Sequence, residues 1–457
     1  MQTEKKVKKN SKSPLIIGRA EHNVSRKDFS PNAIKVLYRL KDGGYDAYLV
    51  GGCIRDVLLG VTPKDFDVVT NATPEQVKRL FRNCRIIGRR FRLAHIVFGR
   101  EIIEVATMRG HHEGSEDKNP ISQSSTEGQL LRDNVFGSID EDAERRDFSI
   151  NALYYSINDY SIHDYANGMD AIKHRRIELI GHPETRYRED PVRMLRAIRF
   201  ATKLDMTIAP DTEKPIYELA DLLSNIPAAR LFEEVLKLFL NGKAEQNFVA
   251  LRQYGLFKQL FPALDLIIEQ SKTGEELKLI TQMFINTDTR INADKKVTPA
   301  FVFAALLWYP MVQRAEQLIK ETKLDEYEAY TQAGNEVVAQ NAQHIAVPKH
   351  FTQGSREIWQ IQLRLPKRGG QRAYRLAQQP RFRAAYDFLL LRTQITPGPL
   401  QELANWWTEY QKRENIVPAP LHKPDLAEKP SHSGDKPAAR RRPRRRFPSK
   451  KPNSSEQ

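Results

Sequence analysis

The sequence predicts an α+β chain: a small mixed α/β domain at the N-terminal end, all-α domains after it, and a disordered basic tail. Three observations carry this reading. Short strand and helix signals alternate within residues 28–155. From about residue 139 the apolar residues recur mostly at helical spacing, as in DPVRMLRAIRFATKL and AARLFEEVLKLFLNG. Beyond Arg413 the composition turns to Pro, Lys, Arg and Ser, which cannot build a core. The 457 residues suffice for two or three cores. The expected divisions are a disordered basic segment over 1–27, a mixed head over 28–155, a helical neck over 156–245, a helical body over 246–413 and the tail over 414–457.

The formal net charge is +15, and its distribution is uneven. Residues 1–27 carry eight Lys/Arg against two Glu, and residues 418–457 eleven Lys/Arg against four Asp/Glu. The long stretch between them is close to neutral. Basic tails of this kind track a polyanion without reading its sequence. A generic solubilising tail is the competing reading, and Arg440, Arg441, Arg442, Arg444, Arg445 and Arg446, gathered around Pro443, weaken it. No apolar run reaches spanning length, so no membrane span is expected. The N-terminus lacks an apolar run of signal-peptide length, which argues against secretion. Two cysteines, Cys53 and Cys84, make neither a metal-ligand pattern nor a disulfide framework, and suit the cytoplasm.

Element by element, PNAIKVLYRLK (31–41) is a helix with Ser30 as cap and Pro31 at its first position. YDAYLVGG is a strand ending in glycines, CIRDVLLG a short helix, and KDFDVVT a second strand. Thr73, Pro74 and Glu75 open the helix TPEQVKRLFRN. RIIGRRF, LAHIVFG and EIIEVATM read as three further strands. HHEGSEDKNPISQSSTEG is polar and reads as a mobile loop.

The chemistry begins at Asp65-Phe66-Asp67. On a strand, residues two apart share a face, so two carboxylates stand together while Phe66 turns to the core. Like charges that close repel, and a hard divalent cation is the natural occupant. Two metals about 3.5–4 Å apart activate a 3′ hydroxyl and stabilise leaving pyrophosphate. Glu104, in EIIEVATM, is the leading candidate for a third metal-binding carboxylate. Upstream, Gly51 and Gly52 close a strand and open a helix. Such a turn lets backbone approach a phosphate, and Arg55 adds a forked donor. An ordinary tight turn is the competing reading.

These residues carry a resemblance. Gly51-Gly52-x-x-Arg55-Asp56 followed by Asp65-x-Asp67 resembles the head signature of the polymerase-β-like nucleotidyltransferase superfamily. Arg145-Arg146-Asp147-Phe148-Ser149-Ile150-Asn151-Ala152 resembles the second signature of its bacterial branch, the tRNA nucleotidyltransferase and poly(A) polymerase family. Asp164-Tyr165-Ala166-Asn167-Gly168-Met169-Asp170 is similar to the third motif, and Arg186 to Phe200 to the fourth. The resemblance implies that the head is a nucleotidyltransferase domain. It also implies that Arg146, Asp147 and Asn151 contact the nucleotide, with Asp147 or Glu104 as the third catalytic carboxylate beside Asp65 and Asp67. It further implies that Glu189, Asp190 and Arg193 read the base edge, while Arg196 and Arg199 hold phosphate or RNA. A capped, salt-bridged helix is the alternative for that last stretch, since Asp190 precedes Pro191 and the three arginines form one stripe.

Within the family, GRRFRLAHIVF, EIIEVATMRGHHE, IPAARLFEEVLKLFLNG, EIWQIQLRL and PRFRAAYDFLLLR resemble the poly(A) polymerases of gamma-proteobacterial type. Cys53 stands where many relatives carry a third glycine. No phosphohydrolase domain is expected, because His163-Asp164 lacks partner ligands. The resemblance implies addition of AMP from ATP to RNA 3′ ends with Mg²⁺, Mn²⁺ being an alternative metal. Implied partners are RNA 3′ ends, ATP, and RNA-decay or RNA-chaperone proteins at the basic tail. CCA addition to tRNA and a non-catalytic RNA-binding role are the competing functions. Between Arg364 and Arg392, basic residues alternate with Tyr374 and Phe382, rings that either stack on unpaired bases or pack inside.

Overall fold

The computed structural model describes residues 13–88, 92–110, 122–124, 130–133 and 136–416. The arginines at 440–446 therefore lie outside the described residues. In chain order the strands of the head are β1 (Leu15–Ile17), β2 (Ala47–Val50), β3 (Asp67–Thr70), β4 (Cys84–Ile87), β5 (Leu93–Phe98), β6 (Glu101–Thr107), β7 (Ser122–Ser124), β8 (Leu130–Asp133), β9 (Leu153–Ser156) and β10 (Ile162–Asp164). The helices that frame the site are α1 (Pro31–Asp42), α2 (Gly52–Leu58), α3 (Pro74–Leu80), α4 (Ile139–Arg145), α5 (Gly168–Lys173), α6 (Pro183–Glu189), α7 (Val192–Leu204), α8 (Pro210–Leu219) and α9 (Ala228–Phe239).

Eight strands form one mixed sheet in the order β1-β10-β9-β2-β3-β6-β5-β4, with β3 and β6 parallel and every other pair antiparallel. Helix α1 starts as expected: the Ser30 hydroxyl accepts from the Asn32 amide at 3.1 Å, and Pro31 takes the first turn. It buries Val36, Leu37 and Leu40 over β2 and β3, among Leu49, Val68 and Ile103. Each such side chain contributes about 1.5–3 kcal/mol through burial.

The structure departs from the sequence expectations in four places. Residues 13–27 are not disordered: Leu15–Ile17 pairs with β10 as an edge strand, and Ser25 caps a short 3-10 turn. Three apolar residues are too few to stand out beside a lysine-rich start. Second, β3 begins at Asp67, not at Lys64, because its partner β2 ends at Val50 opposite Asp67, where Gly51 turns the chain away. Third, the sheet runs past the head boundary expected at 155, to Asp164. Strand β9 reads LYYS and is buried on both faces, so it lacks the alternation that marks a strand. Fourth, β7 lies within the stretch expected to be a loop and pairs with β8, just beyond it, as a separate ribbon.

Beyond the head the chain is helical, and one apolar core runs continuously from Phe148 and Ile150 to Trp407 and Tyr410. Trp359 donates its indole N–H to the Ala304 carbonyl at 2.9 Å, and Trp407 to that of Leu365 at 3.0 Å. Of the two rings expected to stack or pack, Phe382 is buried and Tyr374 is 45 % exposed. No helix among the described residues is long and apolar enough to cross a membrane.

Candidate active site

Strand register assembles the acidic edge. Asp67, at the start of β3, lies directly beside Glu104 of the parallel strand β6, and Glu104 lies opposite His95 of β5. Cross-strand partners share a face, so the three side chains form one row. His95 Nε2 is 3.2 Å from Glu104 Oε1. Solvent reaches Asp67 from the open side while protein crowds it on the others. That crowding first, then Glu104 and Asp65, pushes its carboxyl up to about 6 against the pull of Arg146. Asp65 sits just ahead of the strand and is exposed. Phe66 turns inward against Phe29, with ring centroids 6.4 Å apart. The carboxylates are neighbours rather than a closed cage: among the described residues no three His, Cys, Asp or Glu groups converge as metal ligands.

The glycine turn adjoins this edge. Gly51 has φ +77°, a conformation that side chains rarely adopt, and a Cβ there would stand 3.5 Å from the Asn151 carbonyl and 3.8 Å from Arg146 Nη1. Arg55, expected to reach for phosphate, is buried. Its Nη1 donates to Asn151 Oδ1 at 2.6 Å, and its Nε and Nη2 donate to Asp56 Oδ1 at 2.9 and 2.5 Å. It ties α2 to the second motif. Gly52 is the first residue of α2. Cys53 is buried beneath it, and burial first, then Asp67, pushes its thiol up to about 12, so it is a packing residue here.

In the second motif Arg146 faces two partners. Its Nε donates to Tyr154 Oη at 2.8 Å and to Asp142 Oδ2 at 3.1 Å, and Tyr154 Oη donates to the same Asp142 oxygen at 2.8 Å. Asp147 is saturated. One oxygen accepts from the Phe148 amide at 2.8 Å and Asn151 Nδ2 at 3.1 Å; the other accepts from Arg196 Nε at 2.7 Å and Nη2 at 2.5 Å. Burial would raise its carboxyl, but Arg196, Asn151 and that amide hold it well below the usual range. Asn151 reaches back within a 3-10 turn, Ser149–Asn151, not an α-helix. Arg55, Arg196 and Arg199 each place a guanidinium 4.7–5.3 Å from the Phe200 ring centroid. Arg199 Nε lies 3.7 Å from Glu234 Oε2.

The third motif is a brace. Asp164 accepts from the amides of Ala166, Gly168 and Met169 at 2.9–3.1 Å. Gly168 must lack a side chain, since a Cβ would fall 2.3 Å from the Ser149 carbonyl. The fourth motif joins α6 to α7. Glu189 Oε2 accepts from Arg186 Nη1 at 2.7 Å and Arg193 Nη1 at 3.1 Å. Arg186 Nη2 also donates to the carbonyls of Arg145 and Arg146, both at 2.7 Å, and so docks the neck on the head. Asp190 accepts from the Val192 amide at 3.3 Å, the cap the sequence suggests. It is also gripped by Arg230 of α9 through two bonds of 2.9 and 2.7 Å.

Sequence reading missed Arg230, Arg186, Tyr154 and His95. Arg186 stands inside a quoted motif, so its position was visible. Arg230 is 40 residues from Asp190 and carries no local signal.

Comparison with known proteins accords with this geometry. Three family models match: "Poly A polymerase head domain" over residues 47–178, "Probable RNA and SrmB-binding site of polymerase A" over 205–267, and "Polymerase A arginine-rich C-terminus" over 322–446. The chain is 52 % identical to poly(A) polymerase I of Salmonella typhimurium over 437 residues, which is 95 % of this chain and 92 % of that one. It is 49 % identical to poly(A) polymerase I of Haemophilus influenzae over 88 % of this chain and 90 % of that one. The CCA-adding enzyme of Geobacillus stearothermophilus is 36 % identical over 49 % of this chain and 53 % of its own length. In fold the chain is similar to the Thermotoga maritima CCA-adding enzyme complexed with tRNA, with a TM-score of 0.54 at 19 % identity over 84 % of each chain. Motifs, sheet register and full-length similarity lead to one assignment: the chain belongs to the bacterial poly(A) polymerase family, template-independent enzymes of RNA polyadenylation.

Proposed function

We propose that Asp65, Asp67 and Glu104 form the catalytic edge at which AMP passes from ATP to an RNA 3′ end. The 3′ oxygen bonds to the α-phosphorus, pyrophosphate leaves, and the hydroxyl proton is lost at the carboxylates. The observation that carries this reading is the Asp67–Glu104 register beside the Gly51 turn and Arg146. The donor set fits a hard divalent cation, since all three groups offer oxygen, and burial first, then repulsion from Glu104 and Asp65, lifts Asp67. Asp65, Asp67 and Glu104 would hold Mg²⁺, or Mn²⁺ in its place, and the ion would supply Lewis-acid activation of the hydroxyl and charge stabilisation on the leaving group.

The remaining residues hold the nucleotide. Gly51 and Gly52 leave room for phosphate against the backbone, and Arg146 supplies positive charge at that place. Asp147 is a positioning residue: with both oxygens engaged it orders Asn151 and Arg196 around the ribose rather than joining the metal-binding edge. Arg55 does the same from beneath. Glu189, Asp190 and Arg193 form the wall that selects the base, with Asp190 fixed by Arg230. Arg196 and Arg199 keep the neck side of the pocket positive. Arg440 to Arg446 bind RNA from the tail, where RNA-decay or RNA-chaperone proteins also dock. The two buried, unpaired cysteines suit the cytoplasm.

The test is to incubate the chain with unstructured RNA and each nucleoside triphosphate separately, then to size the products. Long ladders with ATP alone are expected. Products limited to CCA on tRNA would replace this reading with CCA addition.

A further inference from the structure

A cleft of about 590 Å³ opens in the helical body. Helices Glu275–Asn292, Pro299–Leu306 and Phe382–Ile395 form its walls, and no residue of the head or neck lines it. The connection between the first two helices turns at Asp294, which adopts φ +54°, and its residues Lys296, Val297 and Thr298 line the cleft. That volume lies within the usual range for small-molecule sites, roughly 300–1,000 Å³.

The lining is chemically lopsided. Arg290, Lys296 and Arg383 face a single carboxylate, Asp387. Arg383 Nε is 3.0 Å from Asp387 Oδ1. Among the described residues neither Arg290 nor Lys296 has a carboxylate within salt-bridge distance, although the chain between its tails is almost neutral. The inner wall is apolar, with Phe301, Leu390 and Leu391. Burial raises the Asp387 carboxyl, and Arg383 and Arg290 oppose that rise.

We propose that this cleft is a second nucleotide site, separate from the pocket at Asp190 and Arg193, and that it takes a nucleoside 5′-phosphate. Arg290, Lys296 and Arg383 hold the phosphate. The base lies on Phe301, as bases do on aromatic platforms in single-strand binders. Asp387 accepts a hydrogen bond from a base amino group or a ribose hydroxyl. The ligand chemistry is shared by one residue of the RNA strand and by free nucleotide, and two arms of the test separate these sources.

Equilibrium dialysis of AMP against the full-length chain forms the first arm. Two sites are expected; Arg193→Ala should remove one, and the double variant Arg290→Glu, Lys296→Glu the other. Both replaced residues are exposed, so folding should be spared, with an unchanged Tm as the check. The second arm is the KM for a long oligoadenylate. If the strand fills the cleft, that KM rises about tenfold in the double variant and in Phe301→Leu, the order expected for a lost contact or stack, while the KM for ATP holds. Two AMP sites with an unchanged RNA KM assign the cleft to free nucleotide. One AMP site with an unchanged RNA KM overturns the proposal. So does an RNA effect confined to the charge variant, because attraction without the Phe301 floor is only surface electrostatics. Single-turnover AMP addition at saturating RNA reports on the catalytic edge alone, so failure there is distinguishable from failure of the cleft.

Discussion

The acidic edge of the head and the arginine-rich face of the neck both crowd charges together, yet they treat carboxylates in opposite ways. At the edge, Asp67 stands beside Glu104 and near Asp65, and its carboxyl rises to about 6. Around the neck arginines, Asp147 of the head and Glu189 and Asp190 of the neck each have a partner within hydrogen-bond reach: Arg196, Arg193 and Arg230. The edge is left short of positive charge, which is the basis of the cation proposed there. The neck carboxylates are neutralised from within, so the wall proposed to select the base is shaped in advance. Binding then spends little on ordering, which is the physical meaning of preorganisation.

The largest effect should come from the edge. Asp67→Asn or Asp65→Ala should lower single-turnover AMP addition by about 10³-fold or more while the Tm holds or rises, since like-charge repulsion is relieved. Activity near wild type in either variant would remove that residue from the edge.

The neck should fail in selectivity rather than in kind. Asp190→Ala, Arg193→Ala and Arg230→Ala should each cut the preference for ATP over CTP by about 10- to 100-fold. A capping role for Asp190 alone would cost about 1 kcal/mol of stability and leave selectivity untouched. Arg230→Ala is the sharpest of the three, because Arg230 acts through Asp190. Unchanged ratios of ATP, CTP, GTP and UTP incorporation would break the comparison on this side.

The two regions should also respond to pH with opposite sign. Asp67 has a folded-state pKa raised from 3.8 to about 6, so in metal-free protein its contribution to stability is present below about 4 and is lost as pH rises to about 6. Asp147 is depressed below 3.8, so its contribution is present above that value and is lost as pH falls. Tm profiles in chelator should therefore flatten between pH 4 and 6 in Asp67→Asn, and below pH 4 in Asp147→Asn. Parallel profiles for the two variants would deny the contrast.

The smallest effect on chemistry should follow deletion of residues 418–457. The slope of log affinity against log salt should fall by about three units if about four arginines engage at once, at roughly 0.7 per phosphate. The single-turnover rate at saturating RNA should change little. An unchanged slope would assign the tail to a protein partner.

Much of the site was legible because it is local. Gly51 needs its positive φ wherever a strand ends in so tight a turn, and Asp65-Phe66-Asp67 announces two carboxylates flanking one buried ring. Ser30-Pro31 and Thr73-Pro74 mark helix starts by hydrogen bonds that span two or three residues. Strand β9 was hidden, since residues buried on both faces show no alternation, and β10 because it is only three residues long. The start of β3 was misplaced because a strand ends where its partner does, and the partner lies elsewhere in the sequence.

By itself the sequence determined the kinds of groups present and their order: a glycine turn, an acidic pair, an Arg-Asp signature, a Glu-Asp-Arg helix start and basic tails. Only the tertiary structure decided what each carboxylate meets. Sheet register put Glu104 beside Asp67 and His95 behind it; helix packing put Arg196 on Asp147 and Arg230 on Asp190. The reason is range. Turn geometry and strand alternation act over a few residues, whereas a carboxylate's charge state depends on everything within several ångströms, and folding brings those groups from distant parts of the chain.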